Sequence, residues 1–358
     1  MANTVFILGA GASVEAGAPL MNNFLDTAQD LLNRDAFAAY PGEEKAVQGI
    51  FTLISQLEAI HSRAPIDLNN IESLFGLIEM GNIIKKIGNI NPRRLNSYKE
   101  SLITMITRTI EESMIYGSNG HHFRSHESYA SFAAFLKKYE GKGNSSAVLT
   151  FNYDLGLDLA LEEKYRKVNY CLKKEDQEKP GLKLMKLHGS INWVVNNRNV
   201  EIVRGVRQNS ENLFRISREI RIKYKKDILP VIVPPTWNKN QYHGQLSNVW
   251  NSAANELNKA DNLVIIGFSI PETDSFFKYL LGLGLMNGSR IRQLVVINMD
   301  DSHEIKTRYQ NLFGYGISSR LTYLPLTFSE GIDFLESHQS VSHFNVPRSG
   351  QSLSSIMY

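Results

Sequence analysis

Short apolar runs alternate along this chain with longer stretches whose apolar residues recur every three or four positions. Thr4 to Leu8, Ala147 to Phe151, Leu184 to Leu187, Ile228 to Val233, Leu263 to Ile266 and Leu294 to Ile297 have strand length and strand character. Between them the spacing is helical. Leu53, Ile54, Leu57 and Ile60, then Ile71, Leu74, Phe75 and Ile78, mark two helix faces. The second follows Asn69-Asn70, which can cap it, with Glu72 in its first turn. Further helices are predicted over 93–116, 129–139, 155–165, 244–260 and from Thr273 to Gly282 or beyond.

Strands alternating with helices predict an α/β fold, a Rossmann-like parallel sheet. In such folds a second strand ordinarily follows the first within ~30 residues. Here residues 21–144 intervene with a mostly helical pattern, which reads as a large helical insertion or lid. The expected division is a core of 1–20 and 145–335, the insertion 21–144, and a Ser-rich tail, 336–358, that is flexible or docks a partner.

Each apolar run ends in a small or polar cluster. These are Gly9-Ala10-Gly11-Ala12-Ser13, Asn152-Tyr153-Asp154, His188-Gly189-Ser190, Pro234-Pro235-Thr236-Trp237, Gly267-Phe268-Ser269 and Asn298-Met299-Asp300. Ligands of open parallel sheets bind beyond the carboxyl ends of the strands, so these turns are candidates to converge on one crevice. The first is a strand, a glycine-rich turn and a helical pattern after Pro19, an arrangement that offers backbone N–H groups to a phosphate. Glycine lets the backbone approach a ligand closely. Val14 stands where a dinucleotide fingerprint has its third glycine, so a tight strand-to-helix turn is the competing reading.

Composition narrows the class. The 358 residues are 42% hydrophobic with a net charge of +3, which gives no field directed at nucleic acid or an anionic membrane. One cysteine, Cys171, allows neither an intrachain disulfide nor a multi-cysteine zinc site. No apolar run approaches a membrane span of ~18 residues or a secretory leader, so the expected location is cytoplasmic. Residues 198–226 carry nine Lys/Arg against three acidic residues, a solvated face or a partner-docking surface. His121, His122 and His126 cluster in a loop-like setting without cysteine and do not read as a metal site.

The ordered set GAGAS…AGAP, TFNYD, LHGS, GFS and INMD resembles the sirtuin-type NAD-binding domain, and more closely the sirtuin-like domains of bacterial antiviral defence proteins. The resemblance runs from residue 4 to about 300. Sirtuin deacylases carry a four-cysteine zinc ribbon, which this chain lacks, and their TQNID and GTS are here TFNYD and GFS. In the defence branch the implied activity is hydrolysis of NAD⁺ to nicotinamide and ADP-ribose. The resemblance implies Asn152 and His188 as the catalytic pair, with Asp154 orienting one of them. It implies NAD⁺ contacts from Gly9, Ala10, Gly11, Ser13, Pro19, Gly267, Ser269 and Asn298, with NAD⁺ as substrate and no metal. An imidazole ordinarily titrates near 6.5 and suits a base at neutral pH; a carboxamide offers both a donor and an acceptor. Asn152, Asp154 and Ser13 are also good helix caps, and that reading stays open.

The family tends to gate this activity by homo-oligomer assembly or by a partner protein. A HerA-like ATPase/helicase is the first expectation and an Argonaute-associated arrangement the second, with nucleic acid involved only indirectly. The alternatives are NAD⁺-dependent deacylation or ADP-ribosyl transfer, and a non-catalytic scaffold sensing NAD⁺ or ADP-ribose.

Overall fold

A computed structural model of the chain describes residues 2–38, 41–88, 90, 94–119, 122–197, 199–203, 216, 220, 223–224, 228–233, 240–271, 275–286, 290–339 and 344. In chain order, β1 (Asn3–Leu8) is followed by α1 (Phe24–Asn33), α2 (Pro41–Leu57), α3 (Ile71–Ile84) and α4 (Leu95–Ser113). A short pair, β2 (Gly117–Asn119) and β3 (His122–Arg124), leads to α5 (Glu127–Gly141), β4 (Ser145–Thr150), α6 (Gly156–Lys164), β5 (Val168–Asn169) and β6 (Leu182–Lys186). Next come β7 (Gly189–Asn196), β8 (Asn199–Ile202), β9 (Pro230–Ile232), α7 (Asn240–Lys259), β10 (Asn262–Ile266) and α8 (Ser275–Leu285). The described chain closes with β11 (Gln293–Ile297), α9 (His303–Leu312), α10 (Tyr315–Ser318), β12 (Leu321–Leu324) and α11 (Phe328–Ser337).

Two compact units share these elements. The first comprises Met1–Ala16, Arg124–Leu187 and Leu246–Tyr358; the second comprises Gly17–Phe123 and His188–Gln245. The first holds a seven-stranded parallel sheet in the order β12-β11-β10-β1-β4-β6-β5. The chain crosses from β1 to β4 on one side and later returns to β10 on the other, so the topological switch lies at β1. Its register sets Leu8 opposite both Thr150 and Ile266. Apart from exposed Asn3, every residue of β1 is buried, as expected for a central strand covered on both faces.

Helix α5 shows how its sequence selects its place. Tyr129, Phe132, Ala133 and Leu136 fall at helical spacing and are buried, and Phe132 and Phe135 meet Phe6 of β1 edge-on. Within the histidine cluster His126 has a local partner: its Nδ1 accepts from the Ser128 N–H and caps α5. His121 and the side chain of His122 lie outside the described residues. No group of three or more His, Cys, Asp or Glu able to hold a metal occurs among the described residues, and no described helix is long and apolar enough to cross a membrane.

The second unit contains α1 to α4 and a three-stranded antiparallel sheet, β8-β7-β9. The cap expected for α3 is made, with Asn70 Oδ1 accepting from Glu72 N–H at 2.8 Å. Buried Arg108 on α4 meets Glu43 of α2 at 2.9 Å and Glu112 at 2.5 Å, joining those helices. The apolar run from Ile228 to Val233 is corrected here: β9 pairs antiparallel with β7 and is not part of the parallel sheet. Its following cluster, 234–237, lies outside the described residues, as does most of the basic segment 198–226.

Part of the Ser-rich tail is tied to the first unit. The Phe344 ring is fully buried and stacks on Tyr139 at 5.7 Å, and the Gln293 carboxamide bonds both its N–H and its carbonyl. Truncating this ring leaves a cavity beside the aromatic row of α5. Phe344→Ala is therefore expected to lower stability by about 3–5 kcal/mol in chemical denaturation; an unchanged denaturation midpoint would show that the anchor contributes nothing.

Candidate functional site

At the switch point the turns after β1 and β10 are packed backbone to backbone. Gly9 N–H donates to Ile266 O at 2.9 Å and Gly11 N–H to Gly267 O at 2.8 Å. A Cβ on Gly9 would lie 2.6 Å from Gly267 O, one on Gly11 2.7 Å from Gly267 Cα, and one on Gly267 2.3 Å from Ala12 N. Gly267 also has φ +63, a conformation that suits glycine. The approach that these glycines permit is thus an approach to each other. The helix expected beyond the turn is also modified: Ala10–Ser13 form a single 3-10 turn, and α1 begins only at Phe24.

The turn after β4 is wired into the same place. Phe151 N–H and Thr150 Oγ1 both donate to Leu8 O at 3.1 Å, and Asn152 N–H donates to Thr150 Oγ1 at 3.1 Å. Asn152 Nδ2 donates to Gly9 O at 2.9 Å and to Ser13 Oγ at 2.8 Å. A carbonyl oxygen can only accept, so the amide nitrogen must face Gly9. Both Nδ2 hydrogens are then used inside the protein, and Oδ1 is the atom left for a ligand. Asn152 therefore offers an acceptor alone.

Ser13 completes this arrangement. It is 1% exposed, and its Oγ lies 2.7 Å from Asp154 Oδ2 and 2.7 Å from the Tyr129 hydroxyl. An ionised carboxylate accepts only, so the Ser13 hydrogen points at Asp154 and the Tyr129 hydroxyl donates to Ser13. One donor and two lone pairs are all occupied, which fits Ser13 to holding Asn152. Asp154 is 4% exposed and its Oδ1 accepts from Gly156 N–H at 2.8 Å, so it acts on Asn152 through Ser13. Gly156 is small for a reason, since a Cβ there would lie 2.6 Å from the Tyr129 ring. Behind the loop, buried Lys186 Nζ donates to Asp154 O at 2.6 Å and pairs with Asp158 at 2.7 Å.

Burial lifts the Asp154 carboxyl above the ordinary carboxylate range, opposed by Lys186, the Ser13 hydroxyl and the Gly156 N–H. Burial and the Asp154 charge hold the Tyr129 hydroxyl well above its ordinary value, keeping it a donor.

The remaining expected residues are distributed as follows. Ser269 is exposed, and its carbonyl lies 3.4 Å from Arg308 Nη1. Half-buried Asn298 uses Oδ1 to accept from Asp300 N–H at 3.1 Å and Nδ2 to reach Phe268 O at 3.4 Å. Gly9, Ala10, Gly11, Ser13, Asn152, Asp154, Gly267, Ser269 and Asn298 all belong to the first unit; Pro19 and His188 belong to the second. His188 is 4% exposed, and its carbonyl accepts from Val233 N–H at 2.8 Å. Gly189 beside it has φ +85, and a Cβ there would lie 2.0 Å from Val231 O.

Two features escaped the sequence reading. In the sequence Tyr129 reads only as the start of the helix over 129–139. Phe151 and Phe268 stack at 4.5 Å and 14°, with Phe277 edge-on to both at 5.2 and 4.8 Å. TFNYD and GFS depart from TQNID and GTS at Phe151, Tyr153 and Phe268, and the sequence signal for this stack is that two of those three departures are to phenylalanine.

No family model matches the sequence, and no curated protein matches it. Among solved structures, one described as a Sir2 homolog–NAD complex is 16% identical, covering 94% of this chain and 88% of that one, with a TM-score of 0.43. A complex of Sir2 with p53 peptide and NAD⁺ is 14% identical over 93% and 92%, with a TM-score of 0.43. A Sir2 complex with the inhibitor EX-527, 2′-O-acetyl-ADP-ribose and deacetylated p53 peptide is 13% identical over 93% and 92%, with a TM-score of 0.40. Likenesses this distant carry no functional weight, and the α/β fold stands on the strand order itself.

The raised Asp154 carboxyl gives a signed expectation. Folding favours its protonated form, so its contribution to stability is full below ~3.9 and is lost as pH rises through the higher folded value. Asp154→Asn is expected to remove that decline from a pH series of denaturation midpoints. A variant whose profile parallels the wild type would contradict the assignment.

Proposed function

We propose that this chain is an NAD⁺ glycohydrolase of the sirtuin-like type. The observation that carries the reading is the fixed Asn152 carboxamide, with Nδ2 spent on Gly9 and Ser13 and Oδ1 left over, at the topological switch point of a parallel sheet. An isolated acceptor beside a glycine turn suits a ligand that brings hydroxyl hydrogens, as a ribose does. The ordered motifs of the sequence support the same assignment, with Gly9 to Gly11, Gly267, Ser269, Asn298 and Pro19 as the residues for the dinucleotide.

In this reading the C1′–N bond of NAD⁺ breaks and its electron pair neutralises the pyridinium, so nicotinamide leaves without a general acid. Water adds its oxygen at C1′, and its proton passes to a base, for which His188 is proposed. Asn152 Oδ1 orients a ribose hydroxyl or the attacking water. Asp154 and Ser13 hold Asn152. The products are nicotinamide, ADP-ribose and a proton. By the same resemblance the activity depletes NAD⁺ in antiphage defence and is gated by self-assembly or by a partner such as a HerA-like ATPase.

Incubation of the purified chain with NAD⁺, with and without an acetylated peptide and the candidate partner, tests this by product identification. Nicotinamide and free ADP-ribose are expected, and Asn152→Ala or His188→Ala should lower turnover at least ~100-fold with the fold intact. Peptide-dependent O-acetyl-ADP-ribose would establish deacylation instead, and bound but intact NAD⁺ a sensor. Wild-type turnover in a folded double variant would refute the residue assignment.

A further inference from the structure

At the other end of the same sheet the chain gathers three arginines around one hollow. Arg290 and Arg292 precede β11, and Arg320 precedes β12, so all three lie at the amino ends of the strands. With Ile291, Gly316 and Ile317 they line a cavity of about 660 Å³, within the range that holds small ligands. None of these six residues is acidic. Like charges crowded on one concave surface repel one another, and the arrangement becomes favourable when an anion fills it.

The hollow also has a fixed part. The Arg320 guanidinium donates through Nη1 to Ile291 O, which orients it while leaving its other N–H groups available. Arg292 is held at its backbone by Asp261 O at 2.6 Å; its Nε lies 3.7 Å from Asp261 Oδ1, a loose pair that leaves the side chain 64% exposed. Arg290 is exposed. Half-buried Ile317 supplies the apolar surface, since Ile291 is only 2% exposed. A Cβ on Gly316 would meet nothing within 4 Å, so that wall is open.

We propose that this hollow is a second ligand site, taking a phosphorylated small molecule of nucleotide size. Its phosphates lie on the guanidinium groups of Arg290, Arg292 and Arg320, and its apolar part lies over Ile317. Guanidinium forks match phosphate oxygens two at a time, which an ammonium does not. The site goes beyond the NAD⁺ reading, because it lies at the amino ends of the strands and the switch-point crevice lies at the carboxyl ends.

Calorimetric titration of the full chain with ADP and with inorganic pyrophosphate decides it. Saturable binding of ADP is expected, weakened at least tenfold by Arg290→Gln and by Arg320→Lys. The exposed Lys278→Gln, which removes the same charge outside the hollow, should leave it unchanged. ADP tighter than pyrophosphate supports a site that also uses its apolar floor; equal affinities for the two reduce it to a phosphate site and overturn the nucleotide assignment. ADP binding that ignores both arginine variants, or no saturable binding at millimolar ADP, overturns the proposal. A single-stranded oligonucleotide that binds more tightly than ADP with the same arginine dependence would overturn it in favour of nucleic acid.

Discussion

The close packing of the Gly9–Gly11 turn on Gly267 is the contact on which the crevice depends. Two hydrogen bonds join these backbones, and side-chain carbons at any of the three positions would sit within 2.3–2.7 Å of the opposing turn. A substitution at any of them pushes β1 and β10 apart at their carboxyl ends. That junction also sets Gly9 O where Asn152 can bond it, so the glycines act on the site through the geometry of the sheet. This packing accounts for their missing side chains and sets the face of the turn proposed for the dinucleotide.

From that junction the polar wiring runs outward in one direction. Gly9 O and Ser13 Oγ consume the Asn152 donors, Asp154 consumes the Ser13 hydrogen, and Tyr129 fills the last lone pair. Every group in the chain of bonds has a defined donor or acceptor role, which is the condition under which a buried polar network specifies one arrangement. Lys186 and Gly156 keep the Asp154 loop in place by charge and by room for an aromatic ring. A half-buried amide with a single unspent acceptor is the result, and that acceptor is what Asn152 contributes to the proposed chemistry.

Much of the first unit was legible because its central strands are buried on both faces and therefore read as continuous apolar runs. The two-residue β5 and the four-residue β12 carry too few positions for a pattern, and β7 begins at Gly189, where a turn was the natural reading. The strand of Ile228 to Val233 was visible, but whether it joined a parallel or an antiparallel sheet depended on β7. Asn152, Ser13 and Asp154 were legible as polar residues at strand ends. Which of them touch was not, because Ser13 meets Tyr129 and Asp154 more than a hundred residues away. The stacking of Phe151 on Phe268 is likewise a tertiary fact, since a phenylalanine in each of two distant turns does not say that the rings meet.

The orientation of Asn152 can be observed directly by determining a crystal structure of the chain with ADP-ribose bound. The NAD⁺ reading predicts the diphosphate against Gly9 to Gly11 and a ribose hydroxyl donating to Asn152 Oδ1, with Nδ2 still bonded to Gly9 O and Ser13 Oγ. ADP-ribose bound away from the β1 switch point, or an Asn152 amide turned with Nδ2 toward the ligand, would contradict it.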